Sequence, residues 1–226
     1  METTSSGFTL MELFQMGGIL MWPLLLFSIA AVAITVERAV YLLYHNLKMD
    51  DMKAEVEKAF LEGGEEKARE YLKSQNRRKM GARILLTLVN RSGLSESRLE
   101  KAVEAEAMSC IASLENGFNF LTALGSISPL TGFLGTVTGM IGAFRSIAEA
   151  TDVNAQIVAS GIYEALITTV FGLVIAIISM TAHSIFTHIV DRFASDVEIV
   201  CSDLMITISE QKRPGVPGEG AGANEN

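Results

Sequence analysis

An uncharged apolar stretch rich in glycine lies at residues 125–144 and reads GSISPLTGFLGTVTGMIGAF. About 20 apolar residues are enough for an α-helix to cross the hydrocarbon layer of a membrane. Glycine costs a helix roughly 1 kcal/mol per interior position in water, and it is favoured in a membrane helix only where another backbone approaches closely. The stretch therefore predicts a crowded membrane helix, and this crowding indicates an assembly.

The apolar residues of the chain are concentrated in three blocks, at residues 18–43, 118–144 and 157–189. They bring the hydrophobic content of the 226 residues to 49%, which is high for a soluble protein of this size. Each block is long enough to cross a bilayer, and the last two must tilt or continue beyond it as helices. We expect an all-α membrane protein with three transmembrane helices and long cytoplasmic helical extensions.

The orientation of the chain follows from the positions of its Lys and Arg residues. None precedes the first block, whereas 13 of the 18 lie between the first two blocks, at residues 44–117. The N-terminus is therefore predicted outside, and the long loop and the C-terminus in the cytoplasm. The net charge of −8 argues against a dominant basic surface, so we expect a lipid bilayer but no nucleic acid as a partner.

Breaker residues and charge runs divide the rest of the chain. Gly63 and Gly64 separate two short charged helices, and the Pro/Gly-rich sequence from Arg213 onward predicts disorder. The predicted layout is a periplasmic amphipathic segment at 1–16, transmembrane helices at 17–44, 118–147 and 157–189, a cytoplasmic helical domain at 45–117, a short periplasmic loop at 148–156, a cytoplasmic helix at 190–211 and a disordered tail at 212–226.

Small residues recur at helical spacing in the second and third blocks, so they share a face in each helix. Such faces allow two helix backbones to approach each other closely. An interior proline at position 129 predicts a kink in the second helix. The glycines expected at helix contacts are Gly125, Gly132, Gly135, Gly139, Gly161 and Gly172.

Three polar residues stand out within the apolar blocks. If the two small faces meet, Thr136 and Thr169 lie at similar depth in the membrane. Each hydroxyl either bonds back to its own helix or faces a polar path or partner. Glu164 lies near the outer end of the third helix, where a carboxylate indicates an ion route or a buried pair, or else rests in the headgroup layer.

The central parts of the three spans contain no Asp, Lys, Arg or His. Because a proton path needs a titratable relay or continuous water, the central titrating group would have to come from a partner. The sequence carries no catalytic triad, metal-ligand cluster or cofactor motif, and Cys110 and Cys201 are too far apart for a metal motif. We expect no catalytic residue, no metal, no cofactor and no enzymatic activity.

Three motifs give the chain its resemblance to the MotA/TolQ/ExbB proton-channel family, specifically to its three-span ExbB/TolQ branch. They read GGILMWPLLLFSIAAVAITVERAVYLL, GSISPLTGFLGTVTGMIGAF and GIYEALITTVFGL, one in each span. The order of the spans, the long cytoplasmic loop and the outside N-terminus also match. The resemblance implies a multi-pass protein of the bacterial inner membrane.

The resemblance also implies partners and roles for single residues. In that family five copies surround two single-span helices of an ExbD/TolR-like partner, whose membrane Asp carries protons that power work on the cell envelope. By resemblance, Thr136 in GFLGT and Thr169 in ALITT correspond to the pore threonines near that Asp. Glu164 corresponds to the family carboxylate, and Pro129 to the proline of the ISP segment.

The expected function is therefore that of an ExbB-like, ring-forming subunit of a proton channel. It would couple the proton motive force to outer-membrane transport through a TonB-type protein. One alternative is a TolQ-like subunit that maintains the envelope with a TolA-like protein. Another is a non-conducting scaffold, which would not need Glu164 and the two threonines. A MotA-like stator is disfavoured because only three spans are present.

Overall fold

A computed structural model of the chain describes residues 10–45, 47, 49–75, 79–149 and 155–212. All regular structure in these ranges is α-helical, which confirms the predicted all-α class. The helices are α1 (Leu10–Met16), α2 (Met21–Tyr44), α3 (Asp50–Gln75), α4 (Met80–Asn90), α5 (Glu96–Glu115), α6 (Phe118–Glu149) and α7 (Ala155–Lys212).

Three helical segments are long and apolar enough to cross a membrane, as the sequence predicts. They lie within Met21–Tyr44, Glu96–Glu149 and Val158–Ser209. The outward orientation of the N-terminus stays a prediction. The predicted tail from residue 213 and most of the predicted loop at 148–156 lie outside the described residues, and so do residues 1–9 of the predicted N-terminal segment.

The chain divides into two units, and each is described by itself. The first consists of residues 1–41 and 116–188 and contains the apolar helices α1, α2 and α6 with the first part of α7. Here α2 packs against α7 through a buried cluster. Its members are Met21, Leu24, Ala31, Ile167 and Ile175, with Phe14, Phe27, Leu124 and Phe171 around them.

Large apolar side chains cover the outer faces of the helices in this unit. Leu26 and Val40 of α2, Phe133 of α6 and Ile177 of α7 are all more than half exposed. Contiguous exposed apolar surface is unfavourable in water, but lipid solvates it at no cost. The surface of this unit therefore suits a bilayer.

The second unit consists of residues 42–115 and 189–226 and contains α3, α4, α5 and the end of α7. The short helix α4 lies at its centre and contacts both α3 and α5. The end of α7 contributes a buried stripe at helical spacing: Phe193, Val197, Val200, Leu204 and Ile208. Helices packed on one another thus enclose an apolar core in this unit.

The predicted separation of two charged helices is found inside α3. Gly63 and Gly64 have non-helical backbone angles, and Gly64 has a φ of 68° and a ψ of −158°. Only glycine adopts this conformation without strain. The break is therefore a direct consequence of the Gly63-Gly64 pair.

Candidate functional site in the membrane helices

Helices α6 and α7 approach each other until their backbones touch. A Cβ atom added at Gly132 would lie 2.8 Å from the carbonyl oxygen of Thr168, and one at Gly172 would lie 2.5 Å from the carbonyl oxygen of Ser128. Real Cβ atoms essentially never come within 3.0 Å of a neighbouring heavy atom. Only glycine fits at either position while the two helices stay at this distance.

All six glycines that the sequence assigns to helix packing lie along this one contact. A Cβ at Gly135 would overlap the Thr168 side chain, and one at Gly139 would lie 3.1 Å from the Ala165 Cβ. A Cβ at Gly125 would lie 2.6 Å from the Met180 side chain, and one at Gly161 would lie 2.6 Å from the Ala143 Cβ. The small face of α6 therefore packs on α7 of the same chain, so its crowding does not in itself require a second copy.

A threonine that the sequence did not single out joins the two helices. The Thr168 hydroxyl is buried and donates to the carbonyl oxygens of Ala165 (2.8 Å) and Gly132 (3.3 Å). Thr168 shares the three-to-four-residue rhythm of the small face with its neighbour Thr169. Spacing alone cannot tell which of two adjacent residues points into the contact.

The two predicted pore threonines are half-buried and lie on the same stretch of the helix pair. Thr169 donates to the carbonyl oxygens of Gly132 (3.2 Å) and Ala165 (3.5 Å). Thr136 donates to the carbonyl oxygen of Phe133 in its own helix (2.7 Å), which is one of the two alternatives that the sequence left open. A hydroxyl that donates to a carbonyl can still accept a hydrogen bond through its lone pairs.

Glu164 lies against the turn between α1 and α2. A Cβ added at Gly18 would overlap the Glu164 carboxyl group, and Gly18 has a φ of 69°. Glu164 is half-buried, and its carboxyl group forms no hydrogen bond or ion pair with another described residue. Sequence reasoning missed Gly18, whose signal was the Gly17-Gly18 pair just before the first span.

A recess of about 490 Å³ adjoins the Glu164 carboxyl group. We call it the Glu164 recess. Its walls combine a thioether, an amide, a hydroxyl, a phenol and a carboxylate. It is lined by Met16, Gln156, Ala159, Ser160, Tyr163 and Glu164.

Pro129 lies within α6, which runs from Phe118 to Glu149 on both sides of it. Proline removes one backbone hydrogen bond from a helix, and the kink predicted there stays a prediction. No cluster of three or more His, Cys, Asp or Glu side chains suited to a metal ion occurs in the part of the chain that the structure describes.

Both cysteines are buried, unpaired thiols of the second unit. Burial raises the pKa of the Cys201 thiol to about 12, and it also raises the pKa of Cys110. A thiol with a raised pKa is mostly protonated at neutral pH and reacts slowly. Their environment therefore indicates a structural role and not a reactive one.

Comparison with known proteins shows which family the chain resembles. Residues 53–199 match a model of the MotA/TolQ/ExbB proton channel family. The chain is 32% identical over 201 residues to ExbB-like protein 1 of Synechocystis sp., which is named for biopolymer transport, and the match covers 84% of this chain and 78% of that protein. It is 31% identical over 112 residues to the biopolymer transport protein ExbB of Pseudomonas putida, covering 50% of this chain and 33% of that protein. It is 45% identical over 74 residues to the Tol-Pal system protein TolQ of Haemophilus influenzae, covering 33% and 32%.

Proposed function

The chain belongs to the MotA/TolQ/ExbB proton channel family, and we propose that it is the ring-forming subunit of an inner-membrane proton channel. In this proposal several copies, five by family resemblance, enclose the single-span helices of an ExbD/TolR-like partner. That partner carries a membrane Asp. Proton flow through the complex drives outer-membrane transport by way of a TonB-type protein.

The proposal rests on two threonine hydroxyls that lie on helix segments without any charged side chain. Residues 118–144 of α6 and 165–182 of α7 contain no Asp, Glu, Lys, Arg or His. Thr136 and Thr169 are half-buried on this stretch, and the hydroxyl of each donates a hydrogen bond to a backbone carbonyl oxygen. Their free lone pairs can accept a hydrogen bond from a protonated carboxyl group. A partner Asp would therefore find acceptors here when it carries a proton.

The threonines can also serve the ionised state of that Asp. A hydroxyl rotates about its C–O bond, so it can leave the backbone carbonyl and donate to a carboxylate. A hydrogen bond to a charged group is worth about 1.5–3 kcal/mol. Two hydroxyls that respond to both protonation states would lower the free-energy cost of moving a proton through an otherwise apolar helix pair.

The experiment that tests the proposal measures proton flux in liposomes that contain the chain with its single-span partner. The double variant Thr136→Val, Thr169→Val keeps nearly the same side-chain volume but loses both hydroxyls. We expect it to assemble and to conduct protons roughly tenfold more slowly or worse, since each lost hydrogen bond is worth about 1 kcal/mol or more. Wild-type flux in an assembled double variant would refute the assignment.

Thr138→Val is the matched control for that experiment. Thr138 also lies in α6 and is exposed, and its hydroxyl donates to the carbonyl oxygens of Leu134 (3.0 Å) and Gly135 (3.1 Å). It has no role in the proposal, so its loss should leave the flux unchanged. An equal decrease in all variants would indicate a general effect of removing helix hydroxyls.

A TolQ-like role is supported by the 45% identity to TolQ over 74 residues. The two roles predict different phenotypes for a strain in which the protein is deleted. Deletion of an ExbB-like subunit abolishes energised uptake across the outer membrane, whereas deletion of a TolQ-like subunit makes the envelope leaky to detergent. A deletion strain that keeps uptake and becomes detergent-sensitive would favour the TolQ-like role.

A non-conducting scaffold is favoured by one observation, namely that both threonine hydroxyls already have backbone partners. A scaffold would assemble with its partner but carry no proton current. The flux of the wild-type complex distinguishes the two, because a scaffold leaves the liposomes as proton-tight as protein-free ones.

A further inference from the structure

Two hydroxyl groups of α7 are buried without a hydrogen-bond partner. The Ser179 side chain is completely enclosed, and neither its oxygen nor the buried side-chain oxygen of Thr187 bonds to any described residue. An unpaired polar group away from water is costly. A helical hydroxyl usually avoids this cost by donating to a carbonyl oxygen one turn back, as Ser128 and Thr168 do. The Ser179 and Thr187 hydroxyls remain able to bind water.

A histidine lies between these two hydroxyls on the same face of α7. Ser179, His183 and Thr187 follow one another at intervals of four residues, and such positions share a helix face. His183 is half-buried, and it is the first titratable side chain that follows Glu164 along the helix. Its imidazole can accept a proton on one ring nitrogen and release one from the other. We call these three residues the His183 stripe.

The His183 stripe lies where α6 begins. The His183 ring meets the ring of Phe118, the first residue of α6, with a centroid distance of 6.0 Å and an angle of 70° between the rings. Phe118 also stacks on Phe186, one turn from His183 along α7, at 5.9 Å. The charge pattern assigns this end of the apolar spans to the cytoplasm. The imidazole is therefore placed near the predicted inner mouth of the helix pair.

The stripe also continues the face of α7 that carries the proposed pore threonine. With 3.6 residues per turn, Thr187 follows Thr169 by about five turns and His183 follows it by nearly four. Neighbouring members of the stripe are separated by about 6 Å along the helix axis. One water molecule with two hydrogen bonds of about 2.8 Å each can bridge that distance. Few water molecules are thus needed to connect the three side chains.

We propose that Ser179, His183 and Thr187 line the route by which protons leave the channel toward the cytoplasm, with the His183 imidazole as the proton relay. The inference rests on the proposed proton-channel function and extends its conducting residues from the centre of the helix pair to the beginning of α6. His183 carries the proton, whereas Ser179 and Thr187 bind the water molecules on either side of it.

The proton transfer at His183 is balanced. A hydronium ion on the Ser179 side gives its proton to the unprotonated ring nitrogen and becomes water. The resulting imidazolium releases the proton from its other ring nitrogen to a water molecule on the Thr187 side, which becomes hydronium. Rotation of the neutral ring then restores the original arrangement of its nitrogens. Only N–H and O–H bonds are formed and broken.

The nearest cation at this end of α2 is paired with a carboxylate. A Cβ added at Gly117, next to Phe118, would lie 3.2 Å from the side-chain nitrogen Nε of Arg38. Arg38 forms an ion pair of 2.6 Å with Glu37. Residues 118–144 of α6 carry no charged side chain. Further titratable side chains toward this end of the helices include Tyr41, His188 and Asp191. A proton on His183 thus faces a neutral ion pair on α2.

The first test measures proton flux in liposomes that contain the chain with its single-span partner. His183→Phe keeps an aromatic ring against Phe118 but removes both ring nitrogens. A positioned proton-transfer group typically accelerates a step by about 100-fold or more, so we expect the flux to fall by at least about tenfold. His188→Phe is the matched control, because His188 is an exposed site of the same helix, and it should conduct like the wild type. Wild-type flux in His183→Phe would overturn the relay.

Added imidazole distinguishes a relay from a packing role. His183→Ala opens space beside Phe118, where free imidazole can supply the missing ring nitrogens. We expect imidazole, present on both sides of the membrane, to restore part of the flux in His183→Ala and none in His183→Phe, whose ring fills the site. A packing role would give no such difference. No restoration in His183→Ala, or an equal effect on both variants, would overturn the assignment.

Ser179→Ala tests the buried hydroxyl independently. Loss of an unpaired hydroxyl should leave the melting temperature unchanged or raise it. Ser128→Ala, by contrast, removes a hydroxyl that donates to the Leu124 carbonyl oxygen at 2.6 Å, and it should lower the melting temperature. Flux in Ser179→Ala should nevertheless fall several-fold, because the water beside His183 loses its partner. Wild-type flux would overturn the place of Ser179 in the route, and so would a slower flux that comes with a loss of stability as large as that of Ser128→Ala.

The outcomes also separate this inference from the proposed function. If the wild-type complex conducts and His183→Phe conducts equally well, the exit lies elsewhere and the proton-channel function stands. If the wild-type complex does not conduct, both the function and the exit route are refuted.

Discussion

The buried hydroxyl of Thr168 donates a hydrogen bond to the carbonyl oxygen of Gly132 at 3.3 Å, and this bond links α7 to α6 directly through the backbone. The bond is possible only because Gly132 has no side chain to hold the helices apart. Helix packing in a membrane depends on such close contacts, since lipid removes most of the hydrophobic driving force between helices. The Thr168–Gly132 pair is therefore a structural feature of the site, and the half-buried Thr169 donates to the same carbonyl oxygen at 3.2 Å.

Glycines at the α6–α7 contact should tolerate no side chain. Gly132→Ala and Gly172→Ala each place a methyl group against a backbone carbonyl, so we expect a loss of roughly 1–3 kcal/mol from overpacking. Gly142→Ala is the control, because nothing lies within 4 Å of its Cβ position and alanine favours the helix. Thermal unfolding in detergent measures the difference. Equal melting temperatures for all three variants would contradict the observed contact.

Thr168→Val should destabilise the helix pair. The substitution removes a buried hydroxyl and leaves the Gly132 carbonyl without that donor, which costs about 1 kcal/mol. Thr138→Val should cost less, since its exposed hydroxyl bonds only within its own helix. Chemical unfolding of the purified protein distinguishes the two. Thr168→Ser, which keeps the hydroxyl, should recover part of the loss.

Alkaline pH should destabilise the second unit through Cys201. Burial raises the pKa of this thiol to about 12, against 9.0 for the exposed group. Below about pH 9 both folded and unfolded chains keep the proton, so the thiol adds no pH dependence. Above about pH 9 only the unfolded chain releases it, and stability falls by at most about 1.4 kcal/mol per pH unit.

The measurement for Cys201 is denaturant unfolding at about pH 8 and about pH 10.5, for the wild type and for Cys201→Ala. The wild type should lose more stability between the two conditions than the variant does. Cys110 is present in both proteins, so its own raised pKa cancels in the comparison. An identical loss in both would show that Cys201 ionises freely in the folded chain.

The orientation predicted from Lys and Arg can be tested with single cysteines. Thiols placed at Ser5 and Asp152 should react with a membrane-impermeant reagent added to intact spheroplasts. A thiol at Ser74, in the basic segment between the first two spans, should react only after lysis. Labelling of Ser74→Cys in intact cells would reverse the proposed topology.

Several features of the site were predictable because they depend on local spacing. The three spans follow from the lengths of the apolar blocks, and the helix break in α3 follows from Gly63 and Gly64. The six glycines were identified because positions three or four apart share a helix face. Thr168 was missed for the same reason, since a periodicity of 3.6 cannot choose between neighbours at the edge of a face.

The sequence by itself determined that the chain enters a membrane as three crowded helices and that their centres lack a titrating group. Both properties depend only on which residues occur within each stretch of the sequence, so they can be inferred without knowing the tertiary contacts. Only the tertiary structure decided that the glycine face of α6 meets α7 of the same chain, that Thr168 is the buried threonine, and that Gly18 touches Glu164. These pairs are far apart in sequence, and their contacts depend on how whole helices pack, which no local pattern records.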